Sequence, residues 1–355
     1  MLNFRELNEK IPPLDESTAR RAQERWDSVA KPLGSLGQLE QLVVKIAALT
    51  GEPDVELSKR AVVVCCADNG VAAEGVVQTD QSVTAAMAAQ IRDKRSCVCV
   101  MAAAAGAETR AVDMGMLSRV TGVDGPHIAD GTGNIAAGPA MTREQACQAI
   151  EYGVSLVKEY REKGYRLLAT GEMGIGNTTT SSALAAVLLG LPVDTVTGRG
   201  AGLSDEGLER KRAAIRQAIA VNRPAPDDPL DALAKLGGFD IAGMAGLFLG
   251  GALYRVPILV DGLISATAAL IAARLCPNST RAMIASHVSA EPAAVKILQE
   301  LGLGAVLRAD LRLGEGTGAV CMMPLLDLAL AAYHGAAAFS DVGIGQYEKL
   351  GGERP

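Results

Sequence analysis

Short apolar runs alternate along the chain with longer segments whose apolar positions recur at helical spacing. Ala61-Val62-Val63-Val64-Cys65-Cys66, Tyr165-Arg166-Leu167-Leu168-Ala169 and Pro257-Ile258-Leu259-Val260 read as buried strands, because a strand covered on both faces loses its in–out alternation. Glu108 to Met114 does alternate and reads as another strand, and Arg281 to Ser286 as a fifth. Between them the pattern predicts helices over Ser82–Ile91, Ser96–Ala105, Ser181–Leu189, 205–221, Asp227–Leu236, Phe239–Tyr254, Leu263–Leu275, Ala293–Leu301 and Val320–Ala338. Thr142 and Gln145 form a capping box opening a further helix with apolar residues at 146, 150, 154 and 157. Ser204 is a good N-cap for the helix after it.

Strands alternating with helices predict an α/β fold: a parallel sheet covered on both faces. The strands all fall in a large domain, residues 55–305. Residues 1–50 and 306–355 carry only helical patterns and are expected to pair as a small helical subdomain. Within it, Asp15–Val29 is amphipathic, with Trp26 expected to anchor it to the body, and Leu39–Leu49 forms a second helix. Thr121 to Pro139, rich in Gly, Asp, Thr and Asn, reads as a long loop of the functional or mobile kind.

Composition narrows the class. Of 355 residues, 49% are hydrophobic and only 3% aromatic, which suits alanine- and glycine-rich helices packed closely on a sheet. The net charge of -6 and the lack of a basic block argue against nucleic acid and acidic membrane surfaces. The most apolar stretch, Ile241 to Ala273, is cut by Arg255, Pro257 and Asp261, so no uninterrupted membrane span fits there. Met1-Leu2-Asn3-Phe4-Arg5-Glu6 carries charge at once, unlike a secretory leader. Seven cysteines without a C-x-x-C pair read as reduced core residues of a cytoplasmic protein. The three scattered histidines predict no metal site.

The candidate chemistry sits in three glycine-rich turns. Thr170-Gly171-Glu172-Met173-Gly174-Ile175-Gly176-Asn177-Thr178-Thr179-Thr180 joins a strand to a helix, where bare N–H groups and the helix dipole can face an anion. Its spacing is neither a Walker loop nor a dinucleotide fingerprint, and an ordinary tight turn would look the same. Thr197-Gly198-Arg199-Gly200-Ala201-Gly202 and Leu313-Gly314-Glu315-Gly316-Thr317-Gly318-Ala319 are the others. Glu172 and Glu315 are acids fixed by backbone, fit for general base work and for stabilising a positive centre. With Ser289 and Lys211, the turns point to a phosphate, although a solvated helix face is the usual place for a lone lysine. From the residues alone this is an enzyme acting on a small phosphorylated molecule by an unnamed reaction.

These three turns, with Lys31-Pro32-Leu33-Gly34-Ser35-Leu36-Gly37 and Ala67-Asp68-Asn69-Gly70-Val71, resemble the nicotinate-nucleotide–dimethylbenzimidazole phosphoribosyltransferase family of cobalamin synthesis. The resemblance runs over nearly the whole chain in the same order. It implies a doubly wound, Rossmann-like large domain, a homodimer, and no cofactor. It implies transfer of phosphoribose from nicotinate mononucleotide to a benzimidazole nitrogen. Glu315 would be the general base and Glu172 would lie near the ribose and its developing charge. Gly174, Ile175, Gly176, Asn177, Thr178, Gly200, Ala201, Gly202, Lys211 and Ser289 would hold phosphate and ribose. Asp68, Asn69, Gln78, Ala86 and Leu313 would surround the acceptor base. Two positions depart from the family pattern: Asn69 replaces a histidine and Ala86 a glutamine. They leave the acceptor open between dimethylbenzimidazole, adenine and a phenol. A heterodimer, as in phenol-accepting relatives, and a nucleotide hydrolase are the alternatives.

Overall fold

The structure, a computed structural model, describes residues 2–348. Five strands form one sheet: β1 Arg60–Ala67, β2 Glu108–Gly115, β3 Leu167–Met173, β4 Ile258–Val260 and β5 Met283–Ala285. Every neighbouring pair is parallel, in the order β2-β1-β3-β4-β5. This is the flavodoxin-like arrangement; a Rossmann sheet runs 3-2-1-4-5-6 instead. In such sheets ligands bind at the carboxyl edge where the strand order reverses, here between β1 and β3. All residues of β1 are buried, as its unbroken apolar run predicts.

Several boundaries differ from the expected ones, and two of them matter for the site. β3 begins at Leu167 and continues to Met173, paired with β1 as far as Cys66, so Gly171 and Glu172 lie in the strand rather than in a turn. The helix after it begins at Asn177, four residues earlier than its apolar pattern, with Gly176 as N-cap at φ +98°. Asn177 to Thr180 therefore form its first turn. Further along, Pro277–Ala282 is a 3-10 turn, leaving only Met283–Ala285 of the expected fifth strand.

The chain divides into two compact units. Among the described residues, the larger contains 2–12 and Ser58–Met322; the smaller contains Pro13–Leu57 and 323–348. This differs from the expected division at both ends. The Phe4–Lys10 helix belongs with the sheet, because Asn278 bonds Asn8 through both N and Nδ2 and Arg281 donates to the Ile11 and Pro12 carbonyls. Residues 306–322 stay there too, because Asp261 holds the Gly-Glu-Gly turn. Residues 349–355 of the expected subdomain lie outside the described residues.

In the small unit, Trp26 is fully buried edge-on to Tyr333, ring centroids 5.0 Å apart, and this ring pair is its anchor. Lys31 pairs with the buried Glu40 at 2.7 Å.

Among the described residues one helix, Thr317–Gly335, is long and apolar enough to cross a membrane by length and composition alone. Half of its apolar window is buried inside the protein, and it contains Pro324 and Asp327.

Glycine sets the packing of the Arg143–Glu162 helix on the Phe239–Leu253 helix. A Cβ on Gly246 would stand 2.1 Å from the Ile150 carbonyl oxygen, and one on Gly153 would stand 2.1 Å from that of Gly243. Gly246→Ala should therefore force the helices apart and destabilise the fold by about 1–3 kcal/mol, read as a lower denaturation midpoint. An unchanged midpoint would show that the contact has slack.

Candidate functional site

Four strands deliver acidic or polar side chains to one edge. Asp68 follows β1, Glu172 is the last residue but one of β3, Asp261 follows β4, and Ser286 and His287 follow β5. Beside this edge lies a cavity of about 410 Å³, built wholly from the larger unit.

The two glutamates meet there because glycine lets two backbones touch. A Cβ on Gly171 would fall 2.3 Å from the Glu315 carbonyl oxygen, and one on Gly314 would fall 2.4 Å from Glu172 Oε1. Gly314, Glu315 and Gly316 all have positive φ, +83°, +60° and +95°; for glutamate this is a strained conformation that its surroundings must impose. Asp261 imposes it. Its Oδ2 accepts from Gly316 N at 3.1 Å and its Oδ1 from Ala319 N at 2.9 Å, capping the helix behind the turn. Glu315 is buried and its Oε2 has no hydrogen-bond partner among the described residues.

Burial raises the Glu315 carboxyl above its ordinary value against a lowering hydrogen bond from the Val98 backbone, and the Asp261 charge adds to the rise. Glu172 is pushed up to about 8, chiefly by burial and next by the charge of Asp240, against a lowering hydrogen bond from Asn177. Asn177 Nδ2 donates to Glu172 Oε2 and, at 3.0 Å, to Asp240 Oδ2. Burial also lowers His287, whose Nδ1 lies 3.0 Å from the Ser286 hydroxyl.

The other end of the cavity is formed by glycine turns. Gly174, Ile175, Gly176, Asn177 and Thr178 line it at the start of the Asn177–Leu189 helix, and Gly200, Ala201 and Ser289 line it alongside. Lys211 is not on a solvated face: it is wholly buried behind Thr178 and donates to Thr178 Oγ1 at 2.8 Å. Burial brings its ammonium down to about 8, with Glu291 opposing. Glu291 Oε1 accepts from Gly200 N at 3.0 Å. Gly202 is one step removed from the lining; its carbonyl accepts from Gln78.

Of the residues expected around an acceptor base, Gln78 and Leu313 line the cavity. Asp68, Asn69 and Ala86 do not. Asp68 Oδ2 accepts from Leu117 N at 2.8 Å and its carbonyl from Thr132 N at 3.0 Å, so it fastens the long loop. Asn69 is wholly buried beside Thr180, and Ala86 is on an exposed helix face. Apolar lining comes instead from Val76, Met87, Met173 and Ile264.

Four residues of this constellation escaped the sequence reading. Asp261 was visible as an acid at a strand end, and His287 as the residue after a strand. Asp240 and Glu291 gave no signal, since each is a single acid at a helix start. Among the described residues, no three His, Cys, Asp or Glu side chains are grouped so as to hold a metal ion.

Comparison with known proteins identifies close relatives over the length of the chain. A family model described as phosphoribosyltransferase matches residues 11–344. A nicotinate-nucleotide–dimethylbenzimidazole phosphoribosyltransferase of Ruminiclostridium cellulolyticum is 44% identical over 98% of this chain and all of that protein. One of Desulforudis audaxviator, with the same name, is 46% identical over 97% of this chain and 98% of its own. The crystal structure of CobT from Thermus thermophilus superposes with a TM-score of 0.88 at 39% identity, covering 93% of this chain and all of that one. With the three turns assembled around one cavity and these relatives matching from end to end, the chain belongs to the nicotinate-nucleotide–dimethylbenzimidazole phosphoribosyltransferase family.

Proposed function

We propose that this enzyme transfers phosphoribose from nicotinate mononucleotide to 5,6-dimethylbenzimidazole, yielding α-ribazole 5′-phosphate and nicotinate for cobalamin biosynthesis. The observation that carries the reading is the pairing of two buried glutamates, Glu172 and Glu315, with a glycine-walled helix start in one cavity. A phosphate suits the Gly174–Thr178 turn, where N–H groups and the helix dipole meet it and the buried Lys211 supplies the charge. Ser289 and the Gly200–Ala201 turn close that end. The acceptor ring then lies on the apolar lining of Val76, Met87, Met173 and Leu313.

In the transfer, a benzimidazole nitrogen lone pair forms the new bond to C1′. The C1′–pyridinium bond breaks and its electron pair returns to the nicotinate nitrogen. Glu315 takes the N–H proton of the benzimidazole; its free Oε2 and raised pKa suit a base that must hold that proton. Glu172 faces the positive charge that develops at C1′. A leaving group that departs as a neutral pyridine needs no general acid. Holding both rings in line with C1′ converts the reaction to an effectively unimolecular one.

The relatives named above are transferases, so the hydrolase alternative is not favoured. The homodimer and the cytoplasmic setting implied by the resemblance belong to the same reading, and the solution mass of the purified enzyme tests the first.

Glu315→Gln should lower kcat by about 10²- to 10⁴-fold while nucleotide binding stays intact. Parallel loss of binding would remove Glu315 from the base role. Lys211→Ala should raise the KM for nicotinate mononucleotide by about tenfold or more, as expected when the positive charge behind the phosphate turn and its bond to Thr178 are lost. An unchanged KM would move the phosphate elsewhere. The purified chain alone, offered dimethylbenzimidazole, adenine and p-cresol in separate reactions, should form the ribotide most readily with dimethylbenzimidazole. Product only after a second protein is added would establish a heterodimer.

A further inference from the structure

Behind Glu172 lies a second carboxylate that the transfer as described does not use. Asp240 is in the first turn of the Phe239–Leu253 helix and has no exposed surface. Its Oδ2 accepts from Asn177 Nδ2 at 3.0 Å, and that same nitrogen serves Glu172 Oε2. Its Oδ1 accepts from Ile241 N at 3.0 Å. Glycines clear its space: a Cβ on Gly174 would stand 2.7 Å from Oδ2, and one on Gly238 would stand 2.3 Å from Oδ1. The glycine after Met173 is thus required by the Ala67 carbonyl, 2.6 Å from such a Cβ, and by Asp240, before any phosphate arrives.

The groups that face this pair are acidic or neutral. Asp261 and Glu315 raise Glu172, and Asp68 raises Asp240. The thiols of Cys65 and Cys66 on β1 are buried beside them and are held protonated, in part by these same carboxylates. His287 interacts with Asp261 and is kept neutral by burial. Carboxylates buried together without a counter-charge relieve their repulsion by keeping a proton.

We propose that Asp240 is a positioning residue for the transfer: through the shared Asn177 amide it aims Glu172 into the cavity, and in the empty site the two carboxylates share a proton, which is released when the nucleotide's cationic ring binds beside them. The proposal rests on the role given to Glu172 above. Burial raises both carboxyls, and the Asp240 charge raises Glu172 further, so the pair joined by the Asn177 amide favours keeping a proton while the site is empty. A pyridinium ring beside them favours the fully ionised pair, and the proton passes to solvent. The acid cluster then recognises the charge that distinguishes the nucleotide from the nicotinate ring nitrogen that leaves.

The test is a calorimetric titration of the enzyme with nicotinate mononucleotide near pH 7, in two buffers of different ionisation enthalpy, with the pH profile of kcat/KM. Wild-type enzyme should release protons on binding, and Asp240→Asn should release fewer. The acid limb of the profile should move down by about one pH unit in Asp240→Asn, because Glu172 then ionises without a like charge beside it. A wild-type proton release of zero overturns the proposal, however the variant behaves or folds. So does an acid limb that stays in place in a folded Asp240→Asn. Glu172→Gln separates the two claims. If it keeps full turnover, the role of Glu172 fails; if it loses turnover while Asp240→Asn keeps the wild-type limb, only the inference about Asp240 fails.

Discussion

The contact between β3 and the Gly314–Gly316 turn governs this site. The two backbones meet at Gly171, where any side chain would strike the Glu315 carbonyl. β3 is held by pairing with β1 on one side and β4 on the other. The turn is held to the end of β4 by both oxygens of Asp261. Glu315 is thereby fixed by the sheet, although it sits in a turn. Its left-handed backbone is the strain this arrangement sustains. Rigid support of this kind is what a reacting group needs, since misplacement by an ångström costs rate steeply.

The cavity also has an electrical direction, and two adjacent residues divide it. Asn177 donates to the carboxylates Glu172 and Asp240, while Thr178 accepts from Lys211. Acid clusters on one side of this dipeptide; ammonium and helix N-terminus lie on the other. A molecule with a cationic ring at one end and a phosphate at the other has one favourable way to enter. Glu291 complicates the basic end, since it engages Gly200 N and lies beside Lys211. Its charge offsets the lysine in a pocket where an isolated ammonium would be costly to bury.

The sheet was legible because buried parallel strands are unbroken apolar runs, as in Ala61–Cys66, and its edge was legible because glycine and acid follow those runs. The limits of β3 were not. Thr170-Gly171-Glu172 looks like turn chemistry, and its pairing with β1 overrode local preference. Of the site, the glycine-flanked glutamates were readable. Lys211 was readable as a phosphate candidate but its burial was not, and Asp240 gave no signal, because each is a charge on a helix whose burial depends on elements distant in sequence. Asp68 and Asn69 sit at the expected strand end, yet the Asp68 side chain turns to Leu117 just past β2 and that of Asn69 to the Asn177–Leu189 helix, which no local pattern could indicate.

The small unit is assembled from both ends of the chain, and this orders events during synthesis. Arg25 bonds the carbonyls of His334 and Ala336, the former 309 residues further along, and Val29 bridges to Ala338. Trp26 waits as long for the ring of Tyr333. The sheet, by contrast, has all its strands once β5 has been made. On the ribosome the catalytic framework can form while the Glu16–Ser28 helix still lacks the ring of Tyr333 and the carbonyls of His334 and Ala336, which reach it only later in synthesis. A chain released early therefore displays Trp26 and Val29, apolar surface of the kind by which chaperones and proteases distinguish unfinished proteins from complete ones.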